Sequence, residues 1–141
     1  IDHSNTVDED TEENYVLLLP ENPDQSALRI QKEFFSRTGI EIGVMIIDSH
    51  GRAWRNGTVG TAIGVANVPG LVDLRGHKDL FGYTLRATLI AAADELAAAA
   101  SLVMGQANEA VPCVIARGFP YPLREASLRE LIRPDELDLF K

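Results

Sequence analysis

The residues able to do chemistry are concentrated between positions 48 and 109. The stretch opens with DSHGRAWRNGTVGTAIGVA (48–66), continues through LVDLRGHKDLFGYTLRAT (71–88) and ends in ELAAAASLVMGQANE (95–109). Asp48 and Ser49 stand beside Arg52 and Arg55. A glycine-rich apolar run follows, then an alanine-rich helix that closes on Gly105 and the carboxamide of Gln106. Bases gathered around lone acids and glycines suggest an anionic ligand held partly by metal and partly by backbone.

Each of these residues also has a plainer reading. Asp48 follows an apolar run, where a carboxylate suits a ligand or metal; Asp-Ser-His-Gly is equally good turn composition. Arg52 and Arg55 form either an anion clamp or a surface loop with Trp54 as packing anchor. Residues 57–66 alternate glycine with branched residues, which predicts a strand with close backbone approaches. They are not a phosphate-binding P-loop, because no Gly-Lys-Ser/Thr follows. Asp2, Ser4 and Asn5 suit an Asx turn, with a metal or phosphate loop as the alternative. Gln106 reads as a polar loop residue, and Asp94 and Glu95 as a solvated helix face or the partners of a base, with Glu95 as a catalytic alternative.

The elements that must position these groups follow from patterning. Residues 15–20 read as a short buried strand. Asn22, Pro23 and Gln25 supply a helix start, and the helix runs to Thr38, where Gly39 stops it. Residues 41–48 are apolar throughout, which predicts a central strand covered on both faces and ending at Asp48. Residues 71–76 form a short strand and turn. Leu85, Leu89, Ala92, Ala93, Leu96, Ala100 and Val103 lie at helical spacing, so a long helix is expected from Leu85 to Met104. Its eight alanines between positions 86 and 100 invite close packing. A last strand is expected over 111–116, then a short amphipathic helix over 124–132, halted by Pro134.

Totals narrow the classes. At 141 residues the chain suffices for one domain, an acidic arm (1–14) and a globular part (15–141). The net charge is -8, and six acids lie in the first fourteen residues without a Lys or Arg. With 6% aromatic residues and no basic surplus, small anions are better ligands than nucleic acid. No apolar run approaches the ~20 residues of a membrane span. The single cysteine, Cys113, sits in an apolar run and reads as a buried, reduced thiol of a soluble cytoplasmic protein. One cysteine and three scattered histidines give no zinc pattern. Catalytic residues cannot be assigned from spacing. Ile1 is not a natural start, so the chain reads as a piece of a longer protein.

Taken together, IDHSN, DSHGRAWRNG, AIGVA, DLRGHKDLFGYTLRAT, ADELAAAASLVMGQ and PCVIARG resemble the coenzyme F420-0:L-glutamate ligase family. The likeness runs from Ile1 to about Gly118 and covers the C-terminal half or so of that ligase. It implies an intertwined α+β homodimer with a mixed or antiparallel sheet and an Ala-rich central helix, incomplete without a preceding region. It implies GTP-dependent amide formation. The terminal carboxylate of coenzyme F420-0 is phosphorylated, L-glutamate displaces phosphate, and later glutamates are added through gamma links. Mg2+ or Mn2+, with K+, supports the reaction.

The resemblance also implies roles for matching positions. Asp2, Asp48, Ser49 and Gln106 become metal ligands that converge on hard cations. Asn5 contacts GTP, as does the loop of Met104, Gly105, Gln106, Ala107, Asn108, Glu109, Ala110 and Val111. Oxygen donors of this kind suit Mg2+ or Mn2+. Arg52, Arg55, Arg75 and Lys78 are further candidates to meet phosphates, without family warrant. The rival readings are a non-catalytic dimerising or F420-binding fragment, and a related carboxylate–amine ligase with another substrate.

Overall fold

A computed structural model describes residues 18–137. Its centre is a long hairpin. Strands β1 (Val44–Arg52) and β2 (Arg55–Ala66) pair antiparallel, from Val44 opposite Ala66 to Arg52 opposite Arg55. The register passes from Ile46 opposite Gly64 to Ile47 opposite Ala62, so Ile63 is the extra residue of a bulge. Side chains alternate across a strand. Met45 and Ile47 of β1 therefore share a face with Ala62 and Val65 of β2. On that face they pack with Ala93 and Ala97 of helix α2 (Ala92–Met104). The opposite face carries Gly64, which lies against Pro23 at the start of helix α1 (Pro23–Thr38). A Cβ added at Gly64 would stand 2.6 Å from the Pro23 Cβ.

Helix α1 forms as its sequence directs. The Asn22 carboxamide oxygen accepts from the Gln25 N–H at 3.0 Å, and Pro23 opens the first turn. Gly39 ends it at φ +68, donating its N–H to the Phe35 carbonyl. Asp24 then acts at long range. Its carboxylate accepts from the Val65 N–H at 2.8 Å, from the Ser127 hydroxyl at 2.8 Å and from the Leu128 N–H at 3.1 Å. One first-turn acid thus ties α1 to the hairpin and to the C-terminal segment.

Several expectations need correction. A helix does cover each face of the hairpin, but β1 pairs only with β2 among the described residues, so it is a half-buried edge strand rather than a central one. Asp48 and Ser49 do not end that strand, because the hairpin carries it on to Arg52. Trp54 is a turn residue at φ +58 and is 86% exposed, not a packing anchor. Residues 18–20 form no strand; the rest of the strand expected over 15–20 lies outside the described residues.

The long helix expected from Leu85 begins only at Ala92. Its expected first third is the return arm of a second hairpin. Strand β3 (Val72–Asp73) pairs with β4 (Leu89–Ile90). Backbone bonds from Leu74 to Thr88 and from Gly76 to Leu85 extend the pairing, as does a bridge between Lys78 and Thr84. Branched Thr84, Thr88 and Ile90 suit an extended chain, and pairing with 72–78 overrides the helical spacing of the leucines.

Residues 111–116 form no strand, since no described strand lies alongside to take their backbone groups. Cys113 is accordingly exposed rather than buried. The helix expected over 124–132 shrinks to a 3-10 turn at Leu128–Glu130. There Asp24 takes the Leu128 N–H and the Ser127 hydroxyl caps the Arg129 N–H. The outcome is an α+β fold built on antiparallel pairs. No described helix is long and apolar enough to cross a membrane.

The C-terminal segment is fastened by an ion pair. Arg124 donates two bonds of 2.7 Å to the Glu130 carboxylate. Glu130 also accepts from the N–H groups of Gly70 at 3.2 Å and Leu71 at 3.1 Å. The Arg124 guanidinium, helped by those N–H groups, holds the Glu130 carboxyl below its ordinary range, while burial opposes. A depressed carboxyl stabilises the fold fully above its unfolded pKa, and the gain is lost as pH falls through the folded value. Glu130→Gln should therefore lower the unfolding free energy at neutral pH by about 1 kcal/mol. It should also flatten the loss of stability below about pH 4. Urea unfolding of both proteins across the acidic range checks this; parallel curves would exclude the ion pair as a fastening.

Candidate functional site

The candidate site is assembled around Gly60. This glycine lies opposite Ser49 in the hairpin, so the two share the face that α2 covers. A Cβ at Gly60 would come within 2.8 Å of the Ala97 carbonyl and 3.0 Å of the Ser101 hydroxyl. Only a residue without a side chain allows α2 so close. Ser101, in the last turns of α2, is 8% exposed. Gln106 follows the helix end and turns back, and its Nε2 donates to the Ser101 Oγ at 2.8 Å. The Gly105 N–H closes the helix on the Ser101 carbonyl at 3.0 Å.

The structure thus brings Ser49 and Gln106, far apart in sequence, to one face of the hairpin. Asp48 lies opposite Thr61 and projects from the other face; its Oδ1 accepts from the Ser49 N–H at 2.8 Å. Asp2 and Asn5 lie outside the described residues. Among the described residues no three or more His, Cys, Asp or Glu side chains gather into a metal cluster. The α2 face holds only the Ser49 hydroxyl and the Gln106 amide oxygen, and the Asp48 carboxylate lies on the other, so the expected ligands do not converge on one face among the described residues. Each is an oxygen donor of the hard kind that suits Mg2+ or Mn2+.

The loop after α2 folds back on one of its own carboxylates. Gly105 sits at φ +78 and Ala110 at φ +54. The Ala107 N–H donates to the Glu109 Oε2 at 2.8 Å. That bond, then the N–H groups of Glu109 itself and Gln106, hold the Glu109 carboxyl below its ordinary range against desolvation. Backbone donors in this loop therefore converge on negative charge. Met104 is half-buried at the helix end, while Asn108 and Val111 are exposed.

The basic candidates are placed elsewhere. Arg52 and Arg55 face each other across the tip of the β1–β2 hairpin. Arg75 is engaged by Asp73, with contacts from 2.6 to 3.0 Å, and holds that carboxyl down to about 2. Lys78 lies in the second hairpin. A cavity of about 460 Å³ lies between the start of α1 and the segment around Ser127, lined by Asp24, Val65, Leu128 and Ile132. None of the expected ligand residues lines it.

A family model described as F420-0:Gamma-glutamyl ligase matches residues 1–118. The chain belongs to that family. A Methanococcus maripaludis protein named coenzyme F420:L-glutamate ligase is 50% identical to this F420 ligase-family chain over 135 residues, covering 96% of the chain and 54% of its own length. A Methanocaldococcus jannaschii protein of the same name is 49% identical over the same share. One from Archaeoglobus fulgidus is 40% identical over 130 residues, 92% of this chain and 52% of its own. The chain spans about half the length of the curated relatives it matches.

Gly60 belongs to the run of this ligase-family chain expected to make close approaches, whereas Ser101 is not among the expected site residues. A signal for both was present: a glycine inside a strand, and a serine breaking an alanine run one turn before Gly105. Gly60→Ala should lower stability by about 1–3 kcal/mol by overpacking the hairpin against α2. Gly51→Ala, where an added Cβ meets nothing within 4 Å, should stay within about 0.5 kcal/mol of the parent. Chemical denaturation of the pair measures the difference, and equal midpoints would contradict the close approach.

Proposed function

We propose that this chain serves GTP-dependent ligation of L-glutamate to coenzyme F420-0. In this reading GTP phosphorylates the terminal carboxylate, the glutamate amine displaces phosphate, and gamma-glutamyl extension follows. The observation that carries it is the family match over residues 1–118, together with relatives named for this ligation. The placement of Ser49 and Gln106 on the α2 side of the hairpin accords with it.

Phosphoryl transfer asks little covalent chemistry of a protein. It needs reactants held in line and charge on phosphate oxygens neutralised. When bound, Mg2+ or Mn2+, with K+, would supply much of that neutralisation. Ser49 and Gln106 would hold a cation on the face of α2, and Asp48 would serve a position on the opposite face. Asp2 is proposed as a further ligand and Asn5 as a contact to GTP. The loop from Met104 to Val111 would bind GTP through the inward N–H groups that now surround the Glu109 carboxylate. A homodimer in the cytoplasm is part of the same reading, and exposed apolar side chains accord with protein contact of some kind. Leu80 is 93% exposed, Leu102 88%, Phe81 81% and Ile115 80%. Large apolar side chains left this exposed favour protein contact.

A second reading has one observation behind it. Because the chain spans about half of each relative, it could act as a non-catalytic dimerising or F420-binding unit. We expect the chain alone to bind GTP weakly or not at all in calorimetry; tight binding would overturn that expectation. In the assembled ligase, supplied with GTP, Mn2+, coenzyme F420-0 and L-glutamate, Asp48→Ala should reduce phosphate release by at least about 100-fold. Its circular dichroism should not change. Near-normal turnover would remove Asp48 from the site, and turnover with other acceptor acids instead of F420-0 would point to a different carboxylate–amine ligase.

A further inference from the structure

We propose that Ser101 is a positioning residue that fixes which end of the Gln106 carboxamide faces the cation. The proposal rests on the reading of Gln106 as a cation ligand. A carboxamide has a donor end, the NH2, and an acceptor end, the Oε1. Only the acceptor end can ligate a cation. With the NH2 committed to the Ser101 Oγ at 2.8 Å, Oε1 is the end of the carboxamide left to a ligand. The amide is then oriented before any ion arrives.

Three features single out Ser101 for this work. It is the one buried polar residue among the described residues, at 8% exposure. It follows four consecutive alanines, Ala97 to Ala100, on a helix where alanine would fill the same space. Gly60 leaves room for its side chain, and an added Cβ there would meet the Ser101 Oγ at 3.0 Å. The hydroxyl is thus held by packing on one side while it holds Gln106 on the other. Ser49 lies opposite Gly60, on the hairpin face that Ser101 covers. Residues that orient metal ligands from behind commonly change affinity by about 10–100-fold.

The test is a double-mutant cycle on the assembled ligase, read by Mn2+ titration with electron paramagnetic resonance. Ser101→Ala should weaken Mn2+ binding by about 10-fold, and Gln106→Ala should weaken it at least as much. In the Gln106→Ala background, Ser101→Ala should cause no further loss. A second readout needs no metal. The Gln106 side-chain amide resonances of 15N-labelled protein should shift in Ser101→Ala, while backbone resonances distant from α2 stay in place. If Gln106→Ala weakens binding but Ser101→Ala does not, the positioning role is overturned. An equal loss from Ser101→Ala in both backgrounds would overturn it too, as a general effect on the fold. If Gln106→Ala binds Mn2+ like the parent, the ligand reading itself fails. The amide resonances then report a hydrogen bond that serves only the fold.

Discussion

Strand β2 carries both helices on two backbone N–H groups. The Val65 N–H donates to Asp24 in the first turn of α1 at 2.8 Å, and the Ala62 N–H donates to Asp94 in the first turn of α2 at 3.0 Å. Both carboxylates sit where a helix dipole already favours negative charge. Hydrogen bonds to a charged acceptor contribute about 1.5–3 kcal/mol each when shielded from water, and both are part-buried here. They also satisfy donors that a two-stranded sheet would otherwise leave to solvent. The bulge at Ile63 lies between the two, so the helices are fastened on opposite faces of one hairpin.

Close approach follows from the same arrangement. Gly64 admits the start of α1, and Gly60 admits the end of α2. With the helices tied at their N-terminal turns and seated on glycines, the fully buried core stays small, made of alanines and valines such as Ala62, Val65, Val68, Ala93 and Ala97. Larger apolar side chains, including Leu80, Phe81 and Leu102, remain outside it. The fold therefore seats both helices closely on the hairpin while leaving these apolar side chains exposed.

In this chain of the family, two neighbouring side chains part across a strand. Adjacent residues Asp48 and Ser49 leave β1 on opposite faces, and only Ser49 shares its face with Gln106. The hydroxyl of Ser101 then links helix to loop. Behind it, the Ala107 N–H and its neighbours close on the Glu109 carboxylate, so the loop holds negative charge with backbone donors. Hydroxyl, amide and backbone N–H groups do most of the arranging.

Local signals were legible wherever a residue acts on its own neighbours. Asn22, Pro23 and Gly39 fixed the bounds of α1 through capping and backbone geometry. The glycines of residues 57–66 announced close approaches, and the motifs announced the family. Signals failed where distant segments compete. The leucines from Leu85 have helical spacing, yet pairing with 72–78 makes them a strand. Residues 111–116 look like a strand and find no partner among the described residues. Asp24 looks like an ordinary first-turn acid but gathers three segments. The sequence by itself determined donor types and local caps, because those depend on covalent structure and near neighbours. Which face Asp48 and Ser49 take, and that Ser101 meets Gln106 over Gly60, were decided only by the tertiary structure, because register, a single-residue bulge and helix docking depend on partners far along the chain.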